Sequence, residues 1–218
     1  MSSQAHNPPE TAEPDNVRLL PSADADRSLF ELEGAALAAA LYDRFGADVN
    51  RVIRSLLGPD PDHDDLVQKV FAIALVKMDG LRDRAAVRGW LVSIAANTTR
   101  TELRRRKRWR WMSLSPGDEA ADVPVSGEDH EARALLAQFY DTVDKLAADE
   151  RVIFIFRYVD ERPLAEIAEI CGCSVATVKR RLTKASDRFL RHAQHNPDLL
   201  ARIRGGTTWG GKAGGLKP

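Results

Sequence analysis

Residues Leu164–Leu182 read LAEIAEICGCSVATVKRRL. Ala168 is small where two helices would cross, and Gly172, four residues on, suits a turn that needs positive φ. Ser174 belongs to the residue types that cap helix N-termini. Val175, Val178 and Leu182 then face inward, while Thr177, Arg180, Arg181 and Lys184 share the opposite face at helical spacing. The spacing predicts helices over 163–170 and 175–190, joined as a helix-turn-helix. Its second helix offers a hydroxyl and several cations to duplex DNA. Arg180 or Arg181 suits a guanine edge, and Lys179 and Lys184 suit phosphates. A helical hairpin with a merely solvated basic face is the plainer alternative.

Upstream, Leu135, Phe139, Val143 and Leu146 form one apolar stripe, and Asp149 is placed to cap the next helix, ERVIFIFRYV. Before that stripe lies SPGDEAADVPVSGEDH, whose prolines, glycines and acids read as a linker. Further back, Leu37, Leu41, Phe45, Val49, Val52 and Leu56 recur at three- and four-residue steps and predict a long amphipathic helix. Pro59 and Pro61 break it. A second helix starts near Asp62, with acids in its first turn, and ends at Gly80. Its expected core residues are Leu66, Val67, Val70, Phe71, Ile73 and Leu75, and Asp65, Gln68, Lys69 and Ala72 share the polar face. A third helix runs from about Arg84 through Val87, Leu91 and Ile94 into NTTRTELRRRKRWRWMS, residues Asn97–Ser113. No segment alternates as a strand does. The fold class expected is all-α: two small helical domains joined by a flexible acidic linker.

The basic stretch sets Arg100, Arg104, Arg105, Arg106, Lys107, Arg108 and Arg110 against Glu102 alone. A helix there turns Arg104, Arg105 and Arg108 to one side, a charge density that matches a phosphate backbone. Trp109 and Trp111 either stack on unpaired bases or pack into the core. Yet the whole chain of 218 residues balances 32 Lys and Arg with 32 Asp and Glu. The opposing charge gathers in residues 1–33 and 113–132, so a neutral total still allows a strongly basic face.

Cys171 and Cys173 are too closely spaced for an easy disulfide and too few for a zinc site, and read as small buried thiols. The acidic, polar N-terminus is not a signal peptide, and the longest apolar run, Val70–Val76, is far short of a span of roughly 20 residues. A soluble chain in a reducing cytoplasm follows. His63-Asp64 is the weak starting point for a metal phosphohydrolase reading, since His6, His130, His192 and His195 lie in tails, linker or helix end. No metal, cofactor or catalytic residue is expected. A stand-alone helix-turn-helix regulator is the remaining alternative.

Together the two units resemble bacterial RNA polymerase sigma factors of the extracytoplasmic-function (ECF) type. The resemblance covers about residues 35–112, through LYDRFGADVNRVIRSLLG, DHDDLVQKVF and VRGWLVSIAANTTRTELRRRKR, and about 132–192, through ERVIFIFRYVDERPLAEIAEICGCSVATVKRRLTKASDRFLR. It implies domains at 31–112 and 132–195 joined by the acidic linker at 113–131; the tails at 1–30 and 196–218 lie outside it, the first read as flexible from its prolines and acids, the second expected to be disordered after about residue 200 from its glycines and lack of periodicity. It implies that Asp62, Asp65, Gln68 and Lys69 grip the clamp helices of the polymerase largest subunit. Asn97, Arg100, Arg104, Arg105 and Arg108 would read and help melt the minus-10 element. Ser174, Thr177, Lys179, Arg180, Arg181 and Lys184 would read the minus-35 element as duplex. Trp90 matches a family tryptophan read as core packing. The linker would thread the RNA exit path, an anti-sigma factor would be a partner, and the chain outside the polymerase would be a monomer. Lys69 stands where the family often has an acid, and Thr101 where it often has Asp.

Overall fold

The computed structural model describes residues 32–81, 83–112 and 129–204. Among these residues the chain forms helices and turns only. The N-terminal unit holds α1 (Gly34–Leu57), α2 (His63–Lys77) and α3 (Val87–Met112), with single 3-10 turns at Met78–Gly80 and Arg84–Ala86 between α2 and α3. The C-terminal unit holds α4 (Asp129–Asp144), α5 (Ala148–Tyr158), α6 (Leu164–Cys171), α7 (Val175–Ala193) and α8 (Pro197–Arg204).

In the first unit the three helices pack pairwise around Leu41, Val49, Val52, Ile53, Leu56, Val70, Leu91 and Ala95, all essentially without solvent contact. Burial of this aliphatic surface is the main stabilising term. The expected stripe of α1 is buried along its length. In α2, Leu66, Val67, Val70 and Phe71 are buried as expected, but Ala74 takes an inner position while Ile73 and Leu75 sit at the margin. Trp90 packs against the core. Gly58 ends α1 at φ +79°, and its N–H returns to the carbonyl of Arg54 at 2.8 Å.

In the second unit an aromatic cluster fills the centre. Phe154 stacks on Phe189 at 4.7 Å, and Phe139 lies 5.8 Å from Phe189. Three sequence expectations need correction here. Asp149 does not cap α5: Ala147 holds the cap position, and Glu150 accepts from its N–H at 3.3 Å, leaving Asp149 in the first turn. Val175 does not face inward: it opens α7 at 38% exposure, whereas Val178 is fully buried and Leu182 partly so. The second unit also does not end at 195. Helix α8 runs to Arg204 because Leu199 is fully buried, so order persists past residue 200. The linker expected at 113–131 and the tails at 1–30 and beyond 204 lie outside the described residues, apart from the start of α4 at Asp129.

The two units are packed together. α3 lies against both α5 and α6, and α1 touches α5. This arrangement is not legible in the local periodicity of either unit.

Candidate nucleic-acid interface

The turn between α6 and α7 is built by backbone geometry. Gly172 adopts φ +61° and ψ +41°, and its N–H reaches the carbonyl of Glu169 at 3.1 Å. The next N–H, of Cys173, reaches the carbonyl of Ala168 at 2.9 Å, which completes a Schellman stop. Ser174 Oγ then accepts from the N–H of Thr177 at 3.2 Å, so the expected cap is in place. Val178, Ala185, Phe189 and Ala193 are buried, which fixes the rotation of α7. That rotation leaves Lys179, Arg180, Thr183 and Lys184 exposed. Arg181 and Thr177 are half-buried, and Lys184 Nζ lies 3.8 Å from Glu150.

Cys171 and Cys173 are free and half-exposed, and burial pushes the Cys171 thiol up to about 11. It is a poor nucleophile near neutral pH.

The basic stretch is the second half of α3, one uninterrupted helix. Here the charge balance differs from the sequence expectation. Its counter-charges are carboxylates of the folded body, not only the acidic segments. Arg105 donates to Glu102 at 2.7 and 2.8 Å. Arg106 reaches Glu102 at 2.9 Å, Asp62 at 2.7 Å and Asp60 at 2.9 Å. These bonds raise the guanidinium pKa above its ordinary value, the hydrogen bond to Asp60 foremost, against an opposing effect of burial. Arg106 thus fastens the loop before α2 to α3, a role that a run of basic residues does not reveal. Arg104 donates twice to Asp149, at 2.7 and 2.8 Å, and Arg100 lies 3.5 Å from the same carboxylate. Arg110 pairs with Asp144. Arg108 is exposed, as is Asn97, which accepts a hydrogen bond from Arg100 at 2.6 Å. Trp109 and Trp111 are 68% and 89% exposed, so the core-packing alternative falls. Thr101 Oγ1 donates to the carbonyl of Asn97 at 2.8 Å and braces the helix there.

On α2, Asp65, Gln68 and Lys69 are exposed together, as the polar face predicts. Asp62 is set apart from them, half-buried with its carboxylate on Arg106. His63 Nε2 lies 2.8 Å from Asn50 Oδ1, a bond between helices α1 and α2. No group of three or more His, Cys, Asp or Glu able to hold a metal occurs among the described residues. No helix among them is long and apolar enough to cross a membrane.

Sequence reasoning did not single out three residues at the boundary between the units: Tyr140, Asp144 and Arg151. Arg151 follows Asp149 and Glu150 just before the apolar run Val152–Phe156, so it reads as one of a charged trio, yet it is only 4% exposed.

Comparison with known proteins agrees with this geometry. The family model described as Sigma-70 region 2 matches residues 41–109, and that described as Sigma-70, region 4 matches residues 136–188. The chain is 31% identical over 139 residues to the RNA polymerase sigma factor SigV of Bacillus subtilis, covering 63% of this chain and 80% of the relative. It is 30% identical over 136 residues to the ECF RNA polymerase sigma factor EcfG of Rhodopseudomonas palustris, covering 62% and 73%. Two solved structures share its fold. CnrH in complex with the cytosolic domain of CnrY aligns at TM-score 0.53 and 24% identity, over 79% of this chain and 99% of the other. The sigma factor RpoE in complex with the anti-sigma factor NepR from Bartonella quintana aligns at TM-score 0.52 and 23% identity, over 75% and 99%. The chain belongs to the sigma-70 family of bacterial RNA polymerase sigma factors, in its ECF branch. It is a non-catalytic subunit that starts transcription with the polymerase, and the stand-alone regulator is not favoured.

Proposed function

We propose that the exposed face of α7 reads the minus-35 element in the major groove, with Arg180 on base edges and Lys179 and Lys184 on phosphates. Ser174, Thr177 and Arg181 flank that contact. The observation that carries this reading is the rotation of α7: its apolar side is locked into the core while Lys179, Arg180 and Lys184 face outward. The α3 residues Asn97, Arg100, Arg104, Arg105 and Arg108 serve the minus-10 element, with Trp109 and Trp111 as stacking surfaces for unpaired bases. Capture of unstacked bases offsets an opening cost of a few kcal/mol. The exposed face of Asp65, Gln68 and Lys69 grips the polymerase clamp helices, with Asp62 at its edge. The acidic residues 113–131 thread the RNA exit path.

Linking two readers makes the second contact intramolecular, so modest modules act together. The chain works in the cytoplasm, and an anti-sigma factor holds it in reserve. That partner is supported by the fold shared with sigma factors solved alongside CnrY and NepR.

Core polymerase pull-down and promoter footprinting test the assignments separately. Asp65→Ala with Gln68→Ala weakens core binding, and a pull-down equal to wild type contradicts the docking face. Arg180→Ala with Lys184→Ala removes protection of the upstream element while core binding persists. Unchanged protection contradicts the α7 assignment.

A further inference from the structure

An α-helix leaves its last four carbonyls without donors of its own. In α1 these belong to Arg54, Ser55, Leu56 and Leu57. The Arg54 carbonyl also accepts from the Gly58 N–H at 2.8 Å, and the other three are reached from the second unit. The Tyr140 hydroxyl lies 3.2 Å from the carbonyls of both Arg54 and Ser55 and donates to one at a time. Arg151 donates through Nε to Leu56 at 2.7 Å and through Nη2 to Leu57 at 3.2 Å. A cation is also the charge that a helix C-terminus favours. Asp144 holds the third guanidinium nitrogen at 2.6 Å. Gly58 leaves room for the Tyr140 ring, since a Cβ there would sit 2.7 Å from it. Ser55 Oγ adds a contact of 3.4 Å to Asp160.

The same docking brings acids of the second unit onto α3. Asp149, two residues before Arg151, takes Arg104 and Arg100, and Asp144 takes Arg110. The cations Lys179, Arg180 and Lys184 of α7 are exposed, Lys184 lying 3.8 Å from Glu150 of its own unit. We propose that Tyr140 and Arg151 form a clasp on the end of α1 that keeps the free chain closed, with Arg100 and Arg104 masked by Asp149 and α7 left open to duplex. Opening the clasp, as the polymerase separates the units, hands those arginines to DNA. The masking step rests on the reading of α3 as the minus-10 reader. Side-by-side packing of α3 and α6 also prevents the readers from reaching two separated elements, whereas residues 113–128, if extended, span up to roughly 55 Å.

The test uses the full chain in a Cys171→Ala, Cys173→Ala background. Dyes on Ala39→Cys and Gln194→Cys, both at exposed positions, report the separation of the units by energy transfer. Tyr140→Phe with Arg151→Gln shifts the population toward low transfer by about tenfold or more, since bonds to a charged donor are lost. If this variant keeps its circular dichroism yet reads the wild-type transfer, the clasp is refuted. A second arm keeps Tyr140 and Arg151: Ser55→Cys with Asp160→Cys, without dyes, is bridged by a short bis-maleimide whose tether holds a reducible disulfide. The bridged chain, mixed with core polymerase, loses promoter-specific transcripts and regains them on reduction. Failure of the bridge to form, or equal transcription before and after reduction, overturns the proposal. The transfer arm uses neither polymerase nor DNA, so its failure leaves the functional reading standing.

Discussion

Two glycines show how much a single backbone position decides. Gly172 sits at φ +61° with open space where a Cβ would go, so Gly172→Ala is charged only for the left-handed backbone, about 1–2 kcal/mol. Gly58, at φ +79°, faces the Tyr140 ring as well, so Gly58→Ala destabilises more than Gly172→Ala. Urea unfolding of the two variants checks the order. Ser174→Ala removes the cap of α7 and costs about 1 kcal/mol in the same experiment. Gly172 and Ser174 were legible in the sequence because their partners lie within a few residues. Arg151 was not legible, because it stands beside Asp149 and Glu150 and the carbonyls it serves lie 94 and 95 residues away in the chain. Asp149 was misread for the same reason: its placement near a helix start suggested a cap, but its partners Arg100 and Arg104 come from the other unit.

At the scale of the element, α3 carries structural arginines and the proposed minus-10 reader on one helix. Its Glu102 is buried, and the Arg105 hydrogen bonds, joined by those from Arg106, hold the carboxyl at about 2 against the opposing effect of burial. A carboxylate whose pKa falls on folding adds stability that is fully present above its ordinary value and lost as pH drops through the folded one. Glu102→Gln therefore lowers Tm at neutral pH, and the gap to wild type closes between pH 4.5 and about 2. Thermal melts across that range check it, and a gap that widens on acidification contradicts the pairing. The apolar periodicity of α1, α2 and α7 was readable because each buries one stripe. The partition of the α3 arginines was not. Arg106 is structural and Arg108 exposed, yet both sit in the same unbroken run of bases. α8 was missed because glycines begin just past it and its main anchor is the single buried Leu199.

For the whole molecule, two helical bodies pack against each other, and under the proposed division of promoter reading their contact surface sets when the readers are free. The C-terminal carbonyls of α1 under Tyr140 and Arg151, the two arginines on Asp149 and the open face of α7 belong to the proposed closed form. Sequence alone showed the helices of both bodies and the exposed Lys179, Arg180 and Lys184 of α7 but no sign of the surface between the bodies, since docking depends on shape and on partners distant in the chain. The central claim is that this chain gives a catalytic core its choice of start site. Transcription in vitro on fragmented genomic DNA, with RNA 5′ ends mapped, tests it most directly. Core polymerase with the wild-type chain yields discrete starts preceded by a shared pair of spaced elements, and Arg180→Ala with Lys184→Ala depletes them. If the ends are distributed as they are with core polymerase alone, the account is contradicted.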